Sequence, residues 1–136
     1  MIEINNLSGV KVDKQFLKKV IQKVLRSEKK EKTEISLVFV SSVKIRQLNK
    51  KYRKKDKSTD VLSYICDKNS GEIVICPQKV KKNAKKFKTN FTEELTKVLI
   101  HGILHLFGQE HEKSVKKAKE MGEKENYYLS QLKFKN

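Results

Sequence analysis

Apolar residues recur along this chain at two spacings, and the switching between them outlines a fold. Phe16, Leu17, Val20, Ile21, Val24 and Leu25 follow Asp13 at helical spacing, which predicts a capped helix running to about Ser27 with its stripe in a core. The charged run from Glu28 to Thr33 reads as a loop. Glu34 to Val40 then alternates, with Ile35, Leu37 and Phe39 on one face and Val38 and Val40 on the other, as in a strand. Ile2 to Asn5 reads as a short first strand. Ser41 or Ser42 is placed to cap a short helix carrying Val43, Ile45 and Leu48, and a dense basic loop around Tyr52 and Arg53 follows. The apolar run from Asp60 and the run Gly71 to Cys76 read as a hairpin whose loop includes Asp67, Asn69 and Gly71.

Pro77 suits the first turn of a helix, which continues through Val80, Ala84 and Phe87 with lysines on its outer side. From Phe91 to Phe107 the apolar residues cover most of the circumference, and only Glu94, Lys97, His101 and His105 form a polar stripe. A helix that is apolar nearly all round is a buried one, so its histidines are expected to face a cleft. Ser114 to Phe134 reads as a last helix with Val115, Ala118, Met121, Tyr128, Leu129 and Leu132 on one face. These elements predict an α+β fold: one domain over residues 1–136, a small mixed β-sheet covered by helices, and a metal site at the end of the buried helix.

Composition sharpens the expected partners. A hydrophobic share of 37% suits a folded chain, and a formal net charge of +16 over 136 residues points to a polyanion. The competing explanation is a lysine-biased proteome, since lysines occur in nearly every segment. The opening Met1-Ile-Glu-Ile-Asn-Asn shows no basic region followed by an apolar run, and Val98 to Phe107 is too short to span a bilayer. The expectation is therefore a cytoplasmic protein with no membrane partner. Cys66 and Cys76 do not make a disulfide framework and are expected as free, buried thiols.

The chemistry concentrates in His101-Gly-Ile-Leu-His105-Leu-Phe-Gly108-Gln-Glu-His111, which holds all three histidines of the protein. Four residues apart, His101 and His105 share a helix face. A positive φ at Gly108 would let the chain leave the helix and swing His111 back towards them. Three neutral imidazoles meeting at one point hold a catalytic zinc with its fourth position open to water. Imidazole donors also suit nickel, copper and iron. The spacing is that of the metzincin proteases, which place a glutamate after the first histidine as general base. Here that residue is Gly102, which argues against proteolysis.

Together with Thr59-Asp60-Val61-Leu62-Ser63, the histidine segment resembles the YbeY family of bacterial endoribonucleases of ribosomal RNA maturation. Leu48-Asn49 through Arg53 and the Gly71-Glu-Ile-Val-Ile strand fit the same pattern. The resemblance implies that His101, His105 and His111 are zinc ligands and that Arg53 is a catalytic arginine beside the metal. It implies cleavage of single-stranded RNA, with roles in small-subunit ribosomal RNA processing and ribosome quality control. Glu110 stands where the family usually has Asp, and Gln109 replaces a residue that is commonly aromatic.

Lys50, Lys51, Lys54, Lys55 and Lys57 would hold phosphates flanking the cut. Tyr52 is read as core-facing, with base stacking as its alternative. No side chain stands out as general base: Glu110, solvent at the metal and the RNA 2′-hydroxyl stay open. Two other classes of function also stay open. One is a non-catalytic RNA-binding ribosome-assembly factor with a structural metal site; the other is a peptidase or a different metal hydrolase.

Overall fold

A computed structural model of the chain describes residues 1–108 and 115–132. The elements run β1 (Ile2–Asn6), α1 (Lys14–Ser27), β2 (Glu34–Phe39), α2 (Ser42–Arg53), β3 (Val61–Asp67), β4 (Ser70–Ile75), α3 (Pro77–Lys86), α4 (Phe91–Gly108) and α5 (Val115–Ser130). The sheet order is β1-β2-β4-β3. β1 pairs with β2 and β2 with β4 in parallel, while β3 returns antiparallel beside β4 at the edge. This is the expected α+β architecture with one small mixed sheet.

The alternation in β2 sets the two faces. Ile35, Leu37 and Phe39 join Ile73 and Ile75 of β4 against α1 and α4, where Leu99, Ile100 and Ile103 are fully buried. On the other face Val40, Ile45, Leu62, Val74 and Cys76 form a smaller core under α2. Asp13 caps α1, its carboxylate accepting from the Phe16 amide at 3.1 Å, and Ser41 caps α2 in the same way through Lys44. Pro77 occupies the start of α3.

Two glycines let α4 lie close on the sheet. A Cβ at Gly71 would stand 2.7 Å from Leu106 Cδ1, and one at Gly102 would stand 3.1–3.3 Å from Ile73, Ser63 and Val61. Gly71 is thus a strand residue under α4 and not part of the hairpin loop.

Other expectations are corrected. The basic stretch through Arg53 is not a loop: α2 continues to Arg53 and is closed by Lys54 in the left-handed region at φ 58°. Val43 and Tyr52 are exposed, so neither belongs to the core. Phe87 is exposed as well, at the end of α3. Cys76 is buried, but Cys66 is exposed on β3. Gly108 keeps a helical φ; what it supplies is room, since a Cβ there would lie 3.3 Å from Met121 Cε of α5. The last helix ends at Ser130, Ala118 is exposed, and the expected extension to Phe134 lies partly outside the described residues. No helix among the described residues is long and apolar enough to cross a membrane.

Candidate active site

The polar stripe of α4 forms one wall of a cleft of about 920 Å³, which also takes in Arg53, Asp60 and Glu125. His101 and His105 project into it from successive turns, with ring centroids 4.2 Å apart. Their placement follows from the helix pattern: the other faces of α4 are taken up by the core, leaving positions 94, 97, 101 and 105 along the cleft. Both imidazoles are half-buried.

Glu125 reaches His101 from α5, its Oε1 accepting from Nδ1, and is itself buried. This hydrogen bond raises the His101 pKa above the usual imidazole value, outweighing the burial that lowers it; the charges of Glu125 and Asp60 push the same way. Sequence reasoning missed Glu125. The available signal was a carboxylate on the inward face of an amphipathic helix, one turn from Met121 and three residues before Tyr128.

Arg53 ends α2, and Nη2 donates to the Ser63 carbonyl of β3 at 3.1 Å. Its guanidinium carbon lies 6.0 Å from the centre of the Tyr64 ring. Ser63 also donates through Oγ to the Gly102 carbonyl at 3.0 Å. Ser63, the last residue of the Thr59–Ser63 stretch, thus ties the arginine to the histidine helix, a role that the stretch by itself does not reveal. Asn49, buried in α2, donates to the Lys57 carbonyl at 2.9 Å and holds the loop that carries Lys55 and Lys57.

The predicted lysines divide. Lys55 and Lys57 line the cleft, whereas Lys50, Lys51 and Lys54 lie exposed beyond its lining, Lys51 over the Tyr52 ring at 5.1 Å. Lys79 and Lys97 do line it; Lys97 belongs to the polar stripe read from sequence, but neither was assigned there to phosphate. His111, with Gln109 and Glu110, lies outside the described residues, and no group of three or more metal-binding side chains is found among those described. The donor chemistry of the visible pair fits a metal. Two imidazoles share one cleft wall, and a carboxylate on Nδ1 of the first is the partner that fixes the tautomer of a ligating histidine.

The sequence profile of the family described as Endoribonuclease YbeY matches residues 3–133. The chain belongs to that family. Among its relatives, the Endoribonuclease YbeY of Thermotoga neapolitana is 40% identical over 122 residues, covering 88% of this chain and 82% of the relative. That of Aquifex aeolicus is 37% identical, covering 90% of this chain and 85% of the relative. A solution structure of a Thermotoga maritima protein superposes with a TM-score of 0.72 at 37% identity, covering 96% of this chain and 88% of that one.

Proposed function

We propose that this chain is a metal-dependent endoribonuclease that cuts single-stranded RNA in the cytoplasm during small-subunit ribosomal RNA maturation and quality control. Membership of the family supports the reaction class. The observation that carries the site assignment is the His101–His105 pair facing the same cleft as Arg53, with Glu125 behind His101.

In this reading His101, His105 and His111 hold zinc or another divalent transition metal, and Glu125 keeps Nδ1 of His101 engaged so that Nε2 is presented to the ion. A metal so held supplies Lewis acidity towards a phosphoryl oxygen. Arg53 offers a planar fork to a second phosphate oxygen and stabilises the charge that develops as the bond breaks. Lys55 and Lys57 neutralise flanking phosphates. Gly102 speaks against peptide hydrolysis a second time: a side chain at that position would press on Ser63, Val61 and Ile73 of the sheet.

The test pairs cleavage with metal analysis on nuclease-free protein. Wild type should cut single-stranded RNA and carry a divalent metal, and His101→Ala should lose both. Intact RNA after incubation with metal-loaded wild type would overturn the proposal, as would a His101→Ala protein that cuts equally well.

A further inference from the structure

Phe87 is the large apolar side chain in the wall of the cleft that the fold has not buried. It is 59% exposed. Val80 and Ala84, which precede it on α3, are buried in the ordinary way. Phe87 instead continues a second stripe, Lys79, Asn83 and Phe87, spaced every four residues and lining the same cleft as the histidines. Along the helix axis this stripe extends about 12 Å. Lys97 of α4 lines the cleft with it, and the Lys86 ammonium lies 5.6 Å from the Phe87 ring centre.

The stripe presents, in order, a cation for phosphate, an amide that can both donate and accept, and an aromatic face. That combination suits a single nucleic-acid strand: lysines track the backbone while an aromatic ring stacks on a base. Charge in the cleft points the same way. Lys55, Lys57, Lys79, Lys97 and Arg53 face Asp60, Glu94 and Glu125. Of these carboxylates, Glu125 is engaged by His101, and Glu94 is buried and accepts from Thr89 Oγ1 at 3.2 Å. An acidic peptide would satisfy the lysines but leave the ring without a planar partner.

We infer that α3 forms a nucleotide subsite in which a base of the bound strand, at the end of the cleft where α4 begins, stacks on Phe87, with Lys79 and Lys97 on phosphates along the same wall. The inference rests on the endoribonuclease reading and adds the wall along which the strand lies. Stacking needs an unpaired base, so the subsite itself discriminates against duplex.

Anisotropy binding to a short 2′-O-methyl oligoadenylate, and to the same backbone made abasic, tests it. Phe87→Ala should weaken binding of the base-bearing strand roughly 5- to 100-fold, the range for one lost base–aromatic stack. Phe87→Tyr should restore it. On the abasic strand wild type and Phe87→Ala should bind alike. The salt slope should be unchanged in Phe87→Ala but smaller by about 0.7 in Lys79→Gln, one phosphate contact on a single strand. Equal affinities of wild type and Phe87→Ala for the base-bearing strand would overturn the subsite, as would a loss that persists on the abasic strand.

Cleavage of ordinary RNA, run in parallel, separates this outcome from the parent reading. Wild type that binds in a Phe87-dependent way yet never cuts sinks the nuclease and keeps the subsite. Wild type that cuts, with an unaltered KM in Phe87→Ala, sinks the subsite and keeps the nuclease.

Discussion

Among the described residues, Arg53 is held by backbone rather than by a carboxylate. One of its five N–H donors goes to the Ser63 carbonyl, and the side chain lies along the cleft wall. In the proposed function, a guanidinium fixed in this way would meet charge that develops only as the phosphodiester breaks. Arg53→Ala should therefore lower turnover roughly 100-fold, the loss typical of one oriented donor, with a much smaller change in RNA affinity. Single-turnover cleavage beside equilibrium binding checks this, and equal losses in both would assign Arg53 to binding instead. The two visible histidines could be nominated from residue type and spacing, whereas Arg53 was nominated by the family resemblance alone. Ser63 was named only as the end of the Thr59–Ser63 stretch; its bridging role was not legible, since its bond to α4 spans 39 residues of sequence. Tyr52 and Phe87 were misjudged for a related reason: an aromatic at helical spacing looks the same whether its neighbours cover it or not.

Among the elements, α4 was the most legible and α5 the most informative once placed. α4 announces itself by apolar residues round most of its circumference, because it is packed by β3, β4, α1, α3 and α5. The end of α2 announces nothing. Its last turn carries Lys50, Lys51 and Arg53 and few apolar residues, yet cations at a helix C-terminus are electrostatically favoured, and buried Ile45 and Asn49 anchor the turns before it. The docking of α5 is also secured from α1's end, where Glu28 accepts from Lys124 at 2.8 Å and from the Tyr128 hydroxyl. Burial and Glu28 together push the Tyr128 phenol well above its ordinary pKa. This docking places Glu125 behind His101. If His101 holds a metal as proposed, Glu125→Gln should weaken zinc binding roughly 10- to 100-fold, as expected when a carboxylate partner of a ligating histidine is lost. Competition with a chromogenic chelator measures it, with circular dichroism to confirm that α5 stays docked. Unchanged affinity would mean that Glu125 only packs.

At the scale of the molecule, the proposed RNA substrate would meet a net charge of +16. If about five phosphates are neutralised, RNA affinity should fall on the order of a hundredfold between 50 and 200 mM salt, from a slope of about −0.7 per phosphate on single strands. A logarithmic plot of affinity against salt gives that number directly, and a flat plot would detach the charge from RNA binding. The lysines that matter could not be chosen from sequence. Lys50, Lys51 and Lys54 lie beyond the cleft lining while Lys79 and Lys97, on the next two helices, are brought into it.

What the chain determined unaided was whatever periodicity and local chemistry can encode. That covers its strands and most of its helices, the buried character of α4, and the shared face of His101 and His105. Only the tertiary structure decided which polar groups meet: Glu125 with His101, Ser63 between Arg53 and Gly102, and Lys79 and Phe87 along the cleft. The reason is physical. Helical and strand periods are local properties of the backbone, whereas a cleft is made by side chains from α2, β3, α3, α4 and α5 whose separation in sequence says nothing of their distance in space.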